Sequence, residues 1–532
     1  MSGRVVTASP ARRIAAGLLA GAFGLLAPGV APLPAGAQEE DDGGYYATPP
    51  PVAVAPPQDT GSPNENYVKH TECVQRDLSR NISLQQKPWG QLYLRLDEVH
   101  RLMRNTTGSV GGGIEVAVID TGVTATHPYF EGRVSGGGDY VKATPAGPGL
   151  EDCDGHGTEV AGIIAADTPE HIGFEGVAPD ANIVSIRQSS QNYKPDDSPS
   201  APTGGDQSGG DSGGDGRSGE NGGGDQPNAL RGPSGGETGP AQGGEGRTQD
   251  QEGSAGNLDT LAQAVVNAAN RGVQVMNISI NNCRQANGSI GSGEQALQAA
   301  VRYAVEERDV VVVSAAGNTT ESCKQNTGDP DKPNTIVTPP WFADDVLSVA
   351  AIDATGSVAD FSVHGPWVSV AAPGTDIISL DPAVGSDRLA NMTIENGQQQ
   401  FIQGTSFAAP YVSGLAALVR AKFPELSARE VMNRITSTAQ HPAAPGGRDN
   451  FVGHGVIDPM AALTATVPEE EGIAPASAVA LPSDMPPANN RDWTPMIVAL
   501  AGAGGALAAL AITLFVVHTI RRNRTPASRS AR

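Results

Sequence analysis

Three short stretches hold residues that could together cleave an acyl bond. Asp120 ends an apolar run in VIDTGV, His156 stands between two glycines in DGHGTEVAG, and Ser406 lies near the start of GTSFAAPYVSGLAALV. A serine hydroxyl is a weak nucleophile until a base within hydrogen-bond reach takes its proton, and imidazole has the right pKa for that near neutrality. A buried carboxylate on the other ring nitrogen would fix the tautomer and stabilise the imidazolium that forms. Taken singly, Asp120 reads equally as a turn residue, His156 as a loop histidine and Ser406 as a helix N-cap. Cys153, three residues before His156, opens two further readings, a zinc site and a thiol nucleophile. A structural zinc takes about four ligands, and the chain has neither a CxxC nor an HExxH pattern. Nothing around Cys153 would activate a thiol in a way that Ser406 lacks.

Such a set works only if the fold gathers it at one place. The apolar runs in GIEVAVIDTGV, NIVSIRQ, VQVMNISI, VVVVSAAGN and VLSVAAID read as buried strands feeding loops. Between them, Leu258 to Asn270 and Gly293 to Glu307 repeat apolar residues at helical spacing. The alternation predicts an α/β domain on a mostly parallel central sheet flanked by helices, with the reactive residues in loops at the strand ends and at helix starts. Leu92, Leu96, Val99 and Leu102 have the spacing of a short amphipathic helix, and Trp341 and Trp367 read as packing residues.

The order Asp, His, Ser along the chain is the subtilisin order. From about Gly113 to Thr466, leaving out an insertion, the chain resembles the subtilisin-like (subtilase) serine proteases. GVAPDANIVSIR, MNISI, SAAGN, FSVHGPWVSVAAPGTDI and GHGVIDPMAAL are similar to further segments of that family. The resemblance implies a subtilisin-like fold and a serine endopeptidase with Asp120, His156 and Ser406 as its triad. It implies an oxyanion hole made of the Asn318 side-chain amide and the Ser406 backbone N–H. It also implies that Ser279 and Ile280 pair with substrate backbone by strand addition. Asn281 stands where the family usually has glycine, which bears on the shape of the adjoining pocket. Many subtilases bind structural calcium, but no cluster of aspartates with recognisable spacing is present, so no metal and no cofactor are expected.

The rest of the chain is organised around that domain. Of 532 residues, 67 are glycine and 41 proline, so a sizeable part should never pack. Residues 1–37 read as a secretory signal: Arg12 and Arg13, an apolar run from Ile14 towards Val30, then Ala35-Gly36-Ala37 before acidic residues. A twin-arginine route matches the residues after the arginines poorly, and the Gly/Pro content argues against an N-terminal anchor. Residues 38–108 form an N-terminal extension whose first, proline-rich part should be extended or disordered. The peptidase domain occupies 109–466, with a Gly/Ser/Asp/Gln-rich insertion at 189–256 expected to be disordered. A Pro-rich linker at 467–494 leads to a membrane helix at 495–520 and a tail at 521–532. From Met496 to Val517 no charge interrupts the run, and 22 residues cover roughly 33 Å, enough for a bilayer core. Trp493 would sit at one interface, while Arg521, Arg522 and Arg524 would keep the tail in the cytoplasm and the catalytic domain outside.

A formal charge of −23 argues against nucleic acid or anionic lipid as the main partner, since both are polyanions that need a basic patch. Four cysteines, Cys73, Cys153, Cys283 and Cys323, form an even set in an exported chain, which favours two disulfides and leaves three pairings open.

This layout resembles the mycosins, the membrane-anchored subtilases of actinobacterial type VII (ESX) secretion systems. That resemblance implies a protease outside the cytoplasmic membrane that cleaves a secreted ESX protein and associates with the secretion membrane complex, stabilising it. The alternative is a structural subunit of the complex, with proteolysis secondary. Resemblance and layout together favour Cys73–Cys153 and Cys283–Cys323. The proline-rich half of the extension lacks strand alternation, so a tethered wrap is expected rather than a cleaved inhibitor.

Overall fold

The computed structural model describes residues 48–80, 82–143, 148–196, 254–286, 290–395, 398–473 and 494–523. The expected signal peptide, most of the insertion, most of the Pro-rich linker and the end of the tail lie outside the described residues. Residues 1–467 and 468–532 are two separate units.

The apolar runs form the strands of one sheet: β1 (Glu115–Asp120), β2 (Val134–Asp139), β3 (Asn182–Arg187), β4 (Val275–Ile278), β5 (Val311–Ala315), β6 (Leu347–Ile352) and β7 (Val368–Pro373). The order across the sheet is β7-β6-β5-β4-β1-β3-β2, with every neighbouring pair parallel. A parallel sheet must be covered on both faces, which is why β4, β5 and β6 are buried along their whole length. The chain runs outward from β1 in both directions, so a crevice opens at the C-terminal ends of the strands beside it.

Five helices carry the site or cover the sheet around it: α1 (Leu96–Thr106), α2 (His156–Ala165), α3 (Leu258–Arg271), α4 (Ser292–Arg302) and α5 (Thr405–Lys422). Helix α5 packs along β4 to β7 with α2 beside it, and α3 pairs with α4. The start of α3 is fixed by a capping box in which the Asn257 side chain accepts from Thr260 N at 2.9 Å, and its end by Gly272 in the left-handed region. Helix α4 continues past Arg302 as a π-helical turn, Tyr303–Glu307. Trp341 and Trp367 are both fully buried in the core, as packing residues. In the second unit, α6 (Thr494–Arg522) contains an 18-residue stretch of mean hydropathy 2.2 and is long and apolar enough to cross a membrane.

Three elements differ from the sequence reading. The expected amphipathic helix starts later: Leu92 belongs to a separate short helix, Trp89–Tyr93, and is 59 % exposed. Arg95 takes a left-handed φ of 54° and separates the two, so α1 buries Leu96, Val99, His100 and Met103 instead. The insertion is ordered at its first flank, where Tyr193–Pro195 pairs antiparallel with Tyr67–Lys69 of the extension. Tyr193 and Tyr67 give that flank an apolar contact of its own, with Val141 and Ala255. The proline-rich stretch after residue 48 forms no helix or strand among the described residues, but it is held down. Asp59 accepts from Tyr140 Oη at 2.6 Å and from Asn267 Nδ2 at 2.8 Å, and Val52 N donates to Gln298 Oε1 at 2.9 Å.

Candidate active site

Asp120 is the last residue of β1, and the chain turns sharply there. Gly122 has φ 101°, and a Cβ on it would lie 2.1 Å from the Glu151 carbonyl oxygen. A Cβ on Gly157 would lie 2.1 Å from the Gly122 carbonyl oxygen. The two glycines therefore let the first turn of α2 sit directly on the loop after β1. His156, at the start of α2, has its Nδ1 at 2.7 Å from Asp120 Oδ1; since an ionised carboxylate only accepts, Nδ1 carries the proton and donates it.

Neighbouring residues hold this pair. Thr121 Oγ1 accepts from Gly157 N at 3.0 Å and donates to Asp152 Oδ1 at 2.8 Å. Asp152 also accepts from Gly155 N at 2.7 Å, from Thr158 N at 2.8 Å and from Thr158 Oγ1 at 2.6 Å. Burial raises the Asp152 pKa, against the lowering by these hydrogen bonds.

Ser406 lies in the first turn of α5, whose N-terminal end carries unsatisfied backbone N–H groups and a positive partial charge. A chain of side chains ties that turn to β4. Ser413 Oγ donates to Asn277 Oδ1 at 2.8 Å, Asn277 Nδ2 to Ser279 Oγ at 2.7 Å, and Ser279 Oγ to the Ser406 carbonyl oxygen at 2.8 Å. The Phe407 ring packs on His156 with 4.9 Å between centroids, bringing the starts of α2 and α5 together. Asn318, just past β5, accepts through Oδ1 from Thr405 N at 2.9 Å and Thr405 Oγ1 at 3.0 Å. A backbone N–H can only donate, so the oxygen must face Thr405 and the amide nitrogen must face the other way.

Asp120 and His156 are fully buried and Ser406 is 2 % exposed. Among the described residues, Asp120 Oδ2, His156 Nε2 and Ser406 Oγ have no hydrogen-bond partner. Buried polar atoms normally have one, so three at a single site mark a place built for something other than stability. Among the described residues no group of three or more His, Cys, Asp or Glu could hold a metal ion.

Residues 111–455 match the Subtilase family. Mycosin-1 of Mycolicibacterium smegmatis is 36 % identical over 483 residues, covering 88 % of this chain and 92 % of that protein. The solved structure of the serine protease MycP1, an essential component of the type VII (ESX-1) secretion system, is 37 % identical with a TM-score of 0.63, covering 78 % of this chain and 99 % of that one. A chain in the structure of an intact ESX-5 inner membrane complex is 35 % identical with a TM-score of 0.60, covering 89 % of this chain and 98 % of that one.

The chain belongs to the subtilase family. It is a mycosin-type subtilase and a serine endopeptidase.

In this subtilase the N-terminal extension reaches α2, the helix that carries His156. Cys73 is bonded to Cys153, and Val74 N donates to the Cys153 carbonyl oxygen at 2.9 Å. Three residues on from Cys73, Arg76 meets Glu159 of α2 at 2.5 Å, with both side chains fully buried. Arg76 also donates to Thr393 Oγ1 at 2.5 Å and to the Asp154 carbonyl oxygen at 3.3 Å. Cys283 is bonded to Cys323, which lies shortly after Asn318. Both pairings agree with those the resemblance implied.

The structure brings Asp120, His156, Ser406, Asn318, Ser279, Ile280 and Asn281 to one end of the sheet. The last three form the link between β4 and the outer strand Asn282–Gln285 rather than a strand of their own. Sequence reading missed Thr121, Asp152 and the Arg76–Glu159 pair. Glu159 gave a usable signal, being the only charged residue in the run from Gly157 to Ala166, whose other residues apart from Thr158 are apolar or glycine. A charge inside a buried helix requires a partner. Which residue supplies it, from 83 positions upstream, could not be read.

Proposed function

We propose that Asp120, His156 and Ser406 are the catalytic triad of this endopeptidase. The observation that carries the reading is the 2.7 Å His156–Asp120 bond together with the two buried unpartnered atoms the reaction needs, His156 Nε2 and Ser406 Oγ. Ser406 Oγ attacks the scissile carbonyl carbon while its proton passes to His156 Nε2. Asp120 holds the Nδ1 proton and stabilises the imidazolium. The developing oxyanion is met by the Asn318 amide nitrogen and the Ser406 backbone N–H. His156 then gives its proton to the leaving amine, and a water molecule, deprotonated by the same ring, releases the acyl group from Ser406.

The substrate is a protein exported by a type VII secretion system, and the chain also belongs to that system's membrane complex. Supporting this reading are the ESX-1 and ESX-5 contexts of the relatives and the apolar α6, which would anchor the catalytic domain outside the membrane and leave the tail in the cytoplasm. A second reading, a subunit whose proteolysis is secondary, is favoured by the similarity to a chain within the assembled ESX-5 complex. Mass spectrometry of secreted proteins from cells carrying wild type or Ser406→Ala separates the two. Loss of one processed protein with secretion intact supports a protease whose complex role is separable. Unchanged processing would sink the triad assignment, and loss of secretion itself would make catalysis essential to transport.

A further inference from the structure

We propose that a cavity at the end of the sheet opposite Asp120 and Asn318 binds a small organic carboxylate. The cavity measures about 270 Å³ and is bounded by the first residues of β6 and β7, by the chain just before each, and by the helix Ala428–Ser437. The strands are parallel, and Asp120 and Asn318 lie at or just past the other ends of β1 and β5, so the cavity shares no wall with the triad or Asn318. Its volume is room for a ring, since a cavity of roughly 150 Å³ can already hold benzene.

The wall has an apolar part and a polar part. Leu347, Trp367 and Met432 supply the first. In the second, hydrogen-bond donors lack acceptors. Arg448 donates through one nitrogen, Nη2, to the Pro366 carbonyl oxygen and, at 3.1 Å, to the Val368 carbonyl oxygen. Among the described residues its Nε and Nη1 have no hydrogen-bond partner and no carboxylate pairs with it. Asp449, next in the chain, turns its Oδ1 to the N–H groups of Phe451 and Val452. Burial lowers the Arg448 pKa, against the raising by Asp449. A half-buried, unmatched cation is unfavourable until an anion joins it. His454 lies in the same wall, and its pKa is lowered by burial, then by Arg448 and His441, so it meets a ligand as a neutral ring with one N–H to donate. Trp367 is fully buried, and its Nε1–H has no partner among the described residues. Asn433 accepts through Oδ1 from Ser437 Oγ at 3.2 Å, which leaves its Nδ2 without a partner among the described residues. The other two charged residues of the wall do not alter this balance. Arg429 is matched by Asp345 at 2.5 Å and Glu306 at 3.2 Å, and Asp344, the one carboxylate in the wall, is exposed. Unmatched donors and one unmatched cation beside an apolar surface fit a carboxylate carried on an apolar body. Its charge meets the guanidinium through charge-assisted hydrogen bonds, and its body lies against Trp367 and Met432.

Calorimetric titration of the full chain in detergent micelles tests this with three probes: benzoate, benzamide and inorganic phosphate. Benzoate should bind at one site per chain. Benzamide, of the same shape but uncharged, and phosphate, which has no apolar body, should each bind about 10-fold or more weakly. Arg448→Met should weaken benzoate binding by about 10-fold or more, and Asn433→Leu, which leaves the arginine in place, by about 3-fold or more. A cooperative thermal transition shows that each variant is folded, and where Arg448→Met is not, Asn433→Leu carries the comparison. Absence of saturable benzoate binding overturns the site. Equal affinity for benzamide overturns its anionic character, and equal or tighter binding of phosphate overturns the organic ligand. Benzoate affinity unchanged in the folded variants would put the binding elsewhere and overturn the proposal as well.

Discussion

Asn318 is useful at the residue scale because the structure fixes the direction of its amide. Its oxygen is held by Thr405, which turns its nitrogen away from Thr405, the orientation our reading needs for a donor to the oxyanion of the transition state. Asn318→Ala should therefore lower kcat by about 10²–10³, or about 2.7–4 kcal/mol, with KM nearly unchanged. Steady-state kinetics on a cleavable peptide decides this, and a raised KM with kcat intact would remove Asn318 from the oxyanion hole. The positions of this residue and of the proposed triad at strand ends and helix starts were legible in the sequence because each sits in a short motif whose glycines and flanking apolar run announce such a place. Thr121 and Asp152 were not. Both act through contacts with residues whose proximity is created by folding, and an aspartate four residues before a histidine looks like any loop aspartate.

At the scale of elements, α2 depends on a residue that does not belong to the catalytic domain. Its apolar face is ordinary, but Glu159 is buried and its charge is met by Arg76 of the extension. Losing one partner of a buried pair leaves an uncompensated charge, which typically costs about 3–5 kcal/mol, whereas replacing both by apolar groups of similar size is often close to neutral. Arg76→Met should therefore lower the midpoint of chemical unfolding markedly, and Arg76→Met with Glu159→Met should recover most of the loss. Equal midpoints for the single and double variants would mean that the two side chains are not coupled. The strands, α3 and α4 were readable because a buried parallel strand is a continuous apolar run and a surface helix repeats at 3.6 residues. The start of α1 was not, because Arg95 enters the left-handed region and breaks a pattern that runs on in the letters.

At the scale of the whole molecule, the question is how a folded domain tolerates a long low-complexity insertion between two of its central strands. The two ends of the insertion are tied to each other. Ser190 N donates to the Ala255 carbonyl oxygen at 3.2 Å and Ala255 N to the Ser190 carbonyl oxygen at 3.0 Å. Asp154, two residues before His156, accepts from Ser190 Oγ at 2.5 Å and Gln191 N at 2.8 Å, so the first flank belongs to the domain. With the ends already adjacent, a segment expected from its composition to pack on nothing would contribute only loop-closure entropy, which varies with the logarithm of length. Deleting residues 204–244 should leave the fold intact and change stability by no more than about 1 kcal/mol, in the stabilising direction. Thermal unfolding and Ser406-dependent peptide cleavage by the deleted chain check this together. Loss of soluble protein, or a fall in cleavage with the unfolding temperature unchanged, would show that the insertion does more than connect its two flanks.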